Sequence, residues 1–176
     1  MTKLIIGIDP GSHGAMSIAT VDGAVRKVWG FSKNTEHDIK DIIQSFKEVY
    51  PNAGDIAAYI EEVHAMPKDG KVQAFSFGKN YGFWIGILTA LEIPYYTVIP
   101  LKWQSALRLK VRGLEYREKK NALKANAQRM FPKLNPTLET SDALLIAEYG
   151  RQAALNELRE LRGLREAEKC LKQSPE

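Results

Sequence analysis

The sequence predicts an α/β domain in which a mixed five-stranded sheet, an antiparallel meander followed by parallel strands, is flanked by helices. Residues 4–8 and 56–60 are short and almost wholly apolar runs, which is typical of central strands covered on both faces. Asp22-Gly23 is a strong two-residue hairpin signal between two further apolar runs. With 176 residues, the chain is long enough for one domain with a substantial core.

Five segments are predicted as strands, and they cover residues 4–9, 15–21, 24–31, 55–63 and 95–99. Pro10-Gly11 forces a tight turn after the first strand, and Asp22-Gly23 connects the second to the third. The first three strands therefore form a meander. The fourth strand, like the first, is nearly all apolar, and we expect it to be central and buried.

Apolar residues at helical spacing predict helices at about 36–50, 73–91, 103–109, 116–131, 142–149 and 153–171. Asn34 or Thr35 can cap the first of these helices. Thr140 or Ser141 can cap the helix that begins with Asp142. The predicted helices alternate with the last strands and then follow them, as in an α/β domain.

Two helical segments carry patterns that indicate further contacts. In the second helix Gly78, Gly82 and Gly86 recur every four positions, which allows another element or a second subunit to approach closely, or alternatively a kink. The last helix repeats leucines among mixed charges and is expected to pack on the domain or to form a dimer contact. We therefore divide the chain into a domain at 1–151 and a helical tail at 152–176.

Composition argues against several classes of protein. The chain has no apolar run of about 18 residues or more, so we expect no transmembrane helix. It also lacks the pattern of a signal peptide. Cys170 is the single cysteine, which excludes an internal disulfide and a cysteine-based zinc site and fits a reducing cytoplasm.

Positive charge is concentrated in one part of the chain. Residues 101–133 hold ten basic and two acidic side chains, a net charge of +8, whereas the whole chain carries +4. The remainder is therefore net negative. Such a segment is either a surface for a phosphate backbone or a solvated amphipathic helix, and its charge alone does not choose between them.

Carboxylates end two apolar strands and begin one helix. Asp9 ends the first strand, and Glu61 and Glu62 lie near the end of the fourth. Because neighbouring strand residues point to opposite faces, only one of these two glutamates can share a site with Asp9, and the pattern does not decide which. Asp142 lies on the buried side of a first helical turn, and Glu139 precedes it by three residues.

Each acid alone has a structural explanation, because capping and salt-bridged carboxylates are common and the helix dipole favours Asp142 whatever its function. Converging carboxylates, however, repel one another and need bound cations. Oxygen ligands without a nearby cysteine or histidine pair favour Mg²⁺ or Mn²⁺. Two such ions, about 3.5–4 Å apart, can activate water and stabilise the leaving oxygen in phosphodiester hydrolysis. The basic segment would then hold a nucleic-acid backbone.

Three motifs follow one another along the chain, with a basic helix between the second and the third. They are Gly7-Ile8-Asp9-Pro10-Gly11-Ser12, Ile60-Glu61-Glu62-Val63 and Ser141-Asp142-Ala143-Leu144-Leu145-Ile146-Ala147. This ordered set resembles the RuvC family of Holliday-junction resolvases, which belong to the RNase H-like superfamily. His64-Ala65-Met66-Pro67 and residues 75–81 are similar to its phage-type branch. The similarity covers roughly residues 3–151.

The resemblance implies an RNase H-like fold, a homodimer, and two active sites that depend on Mg²⁺, or on Mn²⁺ in its place, with two ions per site. Each site would nick one strand of a four-way or otherwise branched DNA junction and leave a 5′-phosphate. The expected protein is thus a crossover junction endonuclease of recombination and repair. We expect it in the cytoplasm of a bacterium or phage-infected cell, without a membrane contact or a nucleotide cofactor.

The resemblance also implies roles for single residues. Asp9, Glu61 and Asp142 match the metal ligands of the family. Glu139 is a fourth candidate ligand and stands where bacterial members have an aspartate. Lys119 is similar to the family lysine near the scissile phosphate, so it joins the four acids as a predicted catalytic residue.

A further set of mostly basic side chains is predicted to contact DNA. The set comprises His64, Lys68, Lys71, Lys79, Lys102, Lys110, Arg112, Lys119 and Lys120. Among them, His64 occupies the position at which bacterial members carry an aromatic residue that wedges against bases. This departure leaves the mode of junction opening and the sequence preference open.

Two other classes of protein share some of these features. Sugar-kinase and actin-like ATPases also begin with an Asp-x-Gly hairpin that holds phosphate, but they generally duplicate the domain, for which this chain is too short. A non-catalytic nucleic-acid-binding protein on an RNase H-like scaffold would not need acids at three separate core boundaries. A nuclease accounts for both the acids and the basic segment.

Overall fold

The computed structural model describes residues 2–63 and 70–173, and for residues 165–173 the backbone alone. Five strands and five α-helices make up this part of the chain. In chain order they are β1 (Leu4–Asp9), β2 (Ala15–Thr20), β3 (Arg26–Gly30), α1 (Glu36–Val49), β4 (Ile56–Glu61), α2 (Lys71–Ala90), β5 (Tyr95–Val98), α3 (Pro100–Ala106), α4 (Tyr116–Met130) and α5 (Ser141–Gln173).

The strands form a single mixed sheet in the order β3-β2-β1-β4-β5. The pairs β1–β2 and β2–β3 are antiparallel, as in a meander, and the pairs β1–β4 and β4–β5 are parallel. Every predicted strand is present. The bounds of β1 are those predicted, and the other four strands are shorter than predicted. The predicted mixed five-stranded sheet is therefore confirmed.

Helices cover both faces of the sheet, which explains the apolar runs of β1 and β4. On one face, Ile6 and Ile8 pack with Ile43 of α1 and with Trp84 and Leu88 of α2. On the other face, α5 crosses β1 and β2, and α4 packs on α5. A strand with apolar residues on both sides is buried only in such a three-layer arrangement.

The sequence offered two candidates for the N-cap of α1, Asn34 and Thr35. Thr35 is the cap: its hydroxyl oxygen accepts from the Asp38 backbone N–H at 3.2 Å, and its own N–H donates to the Asp38 carboxylate at 2.7 Å. This reciprocal pair is a capping box.

Two helices differ from the prediction. Helix α3 begins at Pro100 rather than near residue 103, because proline without an N–H is well suited to a first helical turn. Helix α5 continues without interruption from Ser141 to Gln173 instead of forming two helices. Ala154 is buried against β1, so the predicted boundary between residues 151 and 152 falls inside one helix that begins on the sheet.

The glycine stripe of α2 lies on an open surface. Apart from the backbone of α2 itself, no described atom lies within 4 Å of the position where a Cβ would be added at Gly78, Gly82 or Gly86. The same helix exposes 81% of Val72 and 75% of Phe75. Within the described chain, therefore, no element covers this face.

The described helices include none that is both long enough and apolar enough to span a bilayer. Cys170 lies in the part of α5 for which only the backbone is described. Gly70 precedes α2 directly, and residues 64–69 lie outside the described part of the chain.

Candidate active site

The register of the sheet brings the first two acids together. Ile8 of β1 pairs with Ile60 of the parallel neighbour β4, so the next positions, Asp9 and Glu61, lie side by side at the same end of the sheet. Side chains at paired positions of neighbouring strands point to the same face. Glu61 therefore shares the site with Asp9, and Glu62 points the other way.

A close contact between α5 and β1 brings in the third acid. A Cβ at Gly7 would collide with the backbone of Ala143 and Ala147, so only glycine lets the helix lie this near the strand. Gly7 and Asp9 are two residues apart and share a face of the sheet. The first turn of α5 therefore places Asp142 next to Asp9.

The segment before α5 fixes where the helix begins. Thr137 donates its backbone N–H to the Thr140 hydroxyl oxygen at 2.9 Å, and the Ser141 hydroxyl donates to the Thr137 carbonyl. These bonds hold the turn that leads into the helix. At its N-terminal end the helix dipole favours the negative charge of Asp142.

The three acids line one cavity of about 450 Å³. Asp9 is 8% and Asp142 3% exposed, and Glu61 is also largely covered. Lys119 and Lys120 of α4 line the same cavity. The cavity therefore combines carboxylates from β1, β4 and α5 with basic side chains from a single helix.

The ammonium group of Lys120 lies between two of the acids. Its Nζ is 2.6 Å from Oδ2 of Asp142 and 3.9 Å from Oδ2 of Asp9. Oδ1 of Asp9 accepts from the Gly11 N–H at 3.1 Å. Oδ1 of Asp142 is buried and has no hydrogen-bond partner among the described residues.

Burial and mutual repulsion change how these acids titrate. Burial raises the pKa of Asp9, while the Lys120 ammonium lowers it and the charge of Asp142 raises it further. Burial together with the charges of Asp9 and Asp142 raises the pKa of Glu61 to about 8. Raised pKa values of buried carboxyl groups are typical of active sites, and structural ion-pair networks also change pKa values.

Trp103 positions the Glu61 carboxylate and was missed by sequence reasoning. Its indole N–H donates to Oε1 of Glu61 at 3.1 Å, and its fully buried side chain belongs to the cluster that holds Val98 of β5 and Leu123 of α4. A tryptophan in a short helix gives no signal of this contact. The contact depends on α3 packing beside the end of β4.

The two α4 lysines differ in their contacts with the acids. Lys119 was predicted as catalytic and Lys120 only as a DNA contact, yet Lys120 makes the ion pairs with the acids. Lys119 and Lys120 precede the buried Leu123 by four and three residues, so helical spacing allows both to face the site. The catalytic role of Lys119 stays a prediction.

Glu139 is not brought together with the other three acids. Its carboxylate accepts from the Ser32 backbone N–H at 2.8 Å and from the Ser32 hydroxyl at 2.9 Å. It lines a second cavity of about 660 Å³, which adjoins the first because Lys120 lines both. A role for Glu139 as a metal ligand stays a prediction.

The predicted DNA contacts lie at several places on the surface. Lys71, Lys102, Lys110 and Arg112 are exposed, as is Lys79, whose Nζ lies 3.6 Å from a Glu36 oxygen. His64 and Lys68 lie outside the described residues. All of these DNA contacts stay predictions.

The donor atoms suit a hard divalent cation. Within residues 2–63 and 70–164, no three acidic, histidine or cysteine side chains are arranged to hold a metal ion, and the Lys120 ammonium stands between Asp9 and Asp142. The buried and partnerless Oδ1 of Asp142 nevertheless fits a cation ligand, since a buried carboxylate oxygen is costly when nothing binds it. Oxygen-only ligands favour Mg²⁺ or Mn²⁺.

Comparison with solved structures identifies the fold. Thermus thermophilus RuvC superposes with a TM-score of 0.57 at 17% identity, over 87% of this chain and 96% of that one. T. thermophilus RuvC in complex with a Holliday junction substrate also gives 0.57, at 15% identity over 86% and 95% of the two chains. The chain therefore has an RNase H-like fold. In particular, it has the fold of RuvC.

Sequence comparison gives one curated relative. The chloroplastic Holliday junction resolvase MOC1 of Chlamydomonas reinhardtii is 30% identical over 103 residues, which is 55% of this chain. The match spans only 11% of that protein. No protein-family model matches the chain.

Proposed function

We propose that this protein is a divalent-metal-dependent endonuclease that resolves four-way DNA junctions. The observation that carries the proposal is the convergence of Asp9, Glu61 and Asp142, from three separate elements, in one cavity on a RuvC fold. The partial similarity to a chloroplastic Holliday junction resolvase supports the same substrate. Capping a helix or forming a salt bridge does not require three carboxylates to lie in one cavity.

In this proposal Asp9, Glu61 and Asp142 hold Mg²⁺, two ions per site, with Mn²⁺ as a substitute and Glu139 as a further candidate ligand. Bound metal supplies an activated water and stabilises the leaving oxygen of a phosphodiester. Trp103 keeps Glu61 in place through its hydrogen bond. Lys119, on the wall of the same cavity, neutralises the scissile phosphate.

The DNA backbone is proposed to lie across α3, α4 and the loop between them. Exposed Lys102, Lys110 and Arg112 come from this segment, and Lys119 carries its positive charge into the cavity with the acids. Contacts between basic side chains and phosphates position the duplex and depend on salt. The proposal includes a location in the cytoplasm of a bacterium or of a phage-infected cell.

A homodimer is proposed because resolving a junction requires two nicks, one in each of two strands. The open face of α2, with its glycine stripe and the exposed Val72 and Phe75, supports a contact with a second copy. Small residues let two helix backbones approach closely, and exposed apolar side chains favour burial. Each copy would cut one strand and leave a 5′-phosphate.

Asp9→Asn tests the proposal directly. The variant keeps the size of the side chain but removes a charged ligand, so we expect it to bind a four-way junction normally and to lose Mg²⁺-dependent cleavage by at least about 100-fold. Cleavage of a four-way junction, a flap and a linear duplex should be measured in Mg²⁺. The matched control is Asp41→Asn, because Asp41 is an exposed acid on α1 that pairs only with Lys40 in the described structure.

Unimpaired cleavage by Asp9→Asn would refute the nuclease mechanism. Hydrolysis of ATP without DNA would instead favour the actin-like or sugar-kinase class. The Asp9→Asn protein should also sediment as a dimer with and without the junction. A monomer under both conditions would contradict paired nicking.

A further inference from the structure

Lys120 occupies a position that is unusual for a lysine on a helix surface. Only 28% of its side chain is exposed, and its ammonium lies 2.6 Å from Asp142 and 3.9 Å from Asp9. These are two of the carboxylates that the proposed function assigns to metal. The Lys120 ammonium and the proposed metal would therefore share the same two carboxylates.

The two aspartates need a cation even when no metal is bound. Asp142 is 3% and Asp9 8% exposed, and buried charges without a partner are strongly destabilising. In the described part of the chain, Lys120 is the one lysine or arginine within ion-pair distance of either. Lys119, its neighbour on the wall of the same cavity, forms no ion pair with a described residue.

The oxygens of Asp142 are used unequally. Oδ2 holds the ammonium at 2.6 Å, whereas the buried Oδ1 has no partner in the described structure. A divalent cation that bound Asp9 and Asp142 would repel the ammonium, because like charges at a few ångströms disfavour one another. This repulsion favours occupancy of the site by one of the two cations at a time.

A second position is open to the Lys120 side chain. Lys120 also lines the adjoining cavity of about 660 Å³, together with Tyr116 and Arg117 from the same helix. In this cavity, which the Glu139 carboxylate also lines, a displaced ammonium beside Arg117 would offer two cationic groups to a phosphate oxygen. One long side chain thus borders both cavities.

We propose that Lys120 is a counter-ion that neutralises Asp9 and Asp142 in the metal-free protein. A divalent cation that binds these two aspartates displaces the Lys120 ammonium, which then contacts the phosphate of the bound DNA. The proposal rests on the metal site of the proposed function. It gives Lys120 a positioning role that couples metal binding to DNA binding. A lysine that only contacted DNA would not affect metal affinity in this way.

The affinity of the full-length, metal-free protein for MgCl₂, measured by titration calorimetry without DNA, tests the exchange. Lys120→Met has no ammonium to displace, so we expect it to bind Mg²⁺ about tenfold more tightly than wild type. Lys119→Met removes the same charge from the same cavity and should change the affinity by no more than about threefold. Equal or weaker binding by Lys120→Met would overturn the proposal. Absence of Mg²⁺ binding by all three proteins would overturn the proposed metal site as well.

A measurement on the wild-type protein keeps the test independent of whether Lys120→Met folds. The ¹⁵N resonance of the Lys120 ammonium can be assigned by its loss in Lys120→Arg. In the metal-free protein, the protons of this ammonium group should be protected from exchange with water. Saturating Mg²⁺ should shift or broaden its resonance, while the resonance of Lys40, which pairs with an exposed acid, stays in place. A Lys120 resonance unchanged by bound Mg²⁺ would overturn the exchange and leave the proposed function intact.

Discussion

Glu61 shows how the surroundings of one side chain set its chemistry. The carboxylate ends a buried strand, lies beside Asp9 and Asp142, and accepts a hydrogen bond from Trp103. Burial and the two negative neighbours raise its pKa to about 8, and the indole hydrogen bond opposes this rise. A bound divalent cation would stabilise the charged form and reverse the shift.

The raised pKa of Glu61 predicts that the metal-free protein loses stability as the pH rises. Between the unfolded value of 4.5 and about 8, the folded protein binds more protons than the unfolded chain, so the free energy of unfolding decreases with pH. The raised pKa of Asp9 acts in the same direction. Melting temperatures in a metal chelator at about pH 5, 6.5 and 8 should therefore fall.

Glu61→Gln is the control for this prediction. The amide cannot ionise, so the melting temperature of the variant should depend less steeply on pH than that of wild type. At pH 8 the variant should be the more stable of the two. An equally steep fall in both proteins would show that Glu61 does not titrate in this range.

At the scale of elements, the placement of α5 on the sheet decides whether a site exists. Gly7 lets the helix approach β1 near Ala143 and Ala147, and Gly150 does the same further along, where a Cβ would meet Tyr59 and Ile5. These two glycines lie on opposite sides of one interface. Close approach along this interface puts the first turn of α5 against Asp9.

Gly7→Val is predicted to lower the free energy of unfolding by about 3 kcal/mol, because the added side chain would collide with the α5 backbone rather than with a movable side chain. Urea denaturation measures this change. Displacement of α5 should also abolish cleavage, since Asp142 moves with the helix.

Gly163→Ala is the matched control for Gly7→Val. Gly163 lies in α5, and apart from the backbone of that helix no described atom lies within 4 Å of an added Cβ. Alanine should therefore leave stability unchanged or raise it by up to about 1 kcal/mol through helix propensity. A loss of stability as large as that of Gly7→Val would contradict the proposed close-approach role of Gly7.

At the scale of the whole molecule, charge is divided between two parts of the chain. The segment 101–133 carries +8, whereas the chain as a whole carries +4. Helices α3 and α4 come from this segment, and both contribute to the walls of the cavity that holds the acids. A positive surface at the rim of an acidic site can bring a polyanion to the site despite the carboxylates.

Lys110→Ala/Arg112→Ala is predicted to weaken junction binding and to reduce the slope of log K against log salt by about 2, because each substitution leaves one DNA phosphate without its basic partner. Binding should be measured in the Asp9→Asn background, so that the DNA stays intact. The control, Lys27→Ala/Lys40→Ala, removes two charges from β3 and α1. An unchanged slope in the first variant would show that the loop after α3 does not contact the backbone.

Much of the fold and the core of the site could be predicted from the sequence. Apolar runs that end in carboxylates identified β1 and β4, the hairpin signal at Asp22-Gly23 identified the meander, and helical spacing placed Asp142 on a buried face. These signals are local, because strand alternation, turn chemistry and helical periodicity depend on neighbours in the chain. The sequence alone thus determined which strands and helices form and which of their ends carry carboxylates.

Only the tertiary structure decided which residues meet. The pairing of β1 with β4 selects Glu61 over Glu62, a choice that strand alternation left open and only the family resemblance made, and the packing of α4 brings Lys120 rather than Lys119 to the aspartates. Trp103 reaches Glu61, and Ser32 engages Glu139, across gaps of 42 and 107 residues. Such contacts depend on register and on how closely two elements approach, which no local pattern specifies.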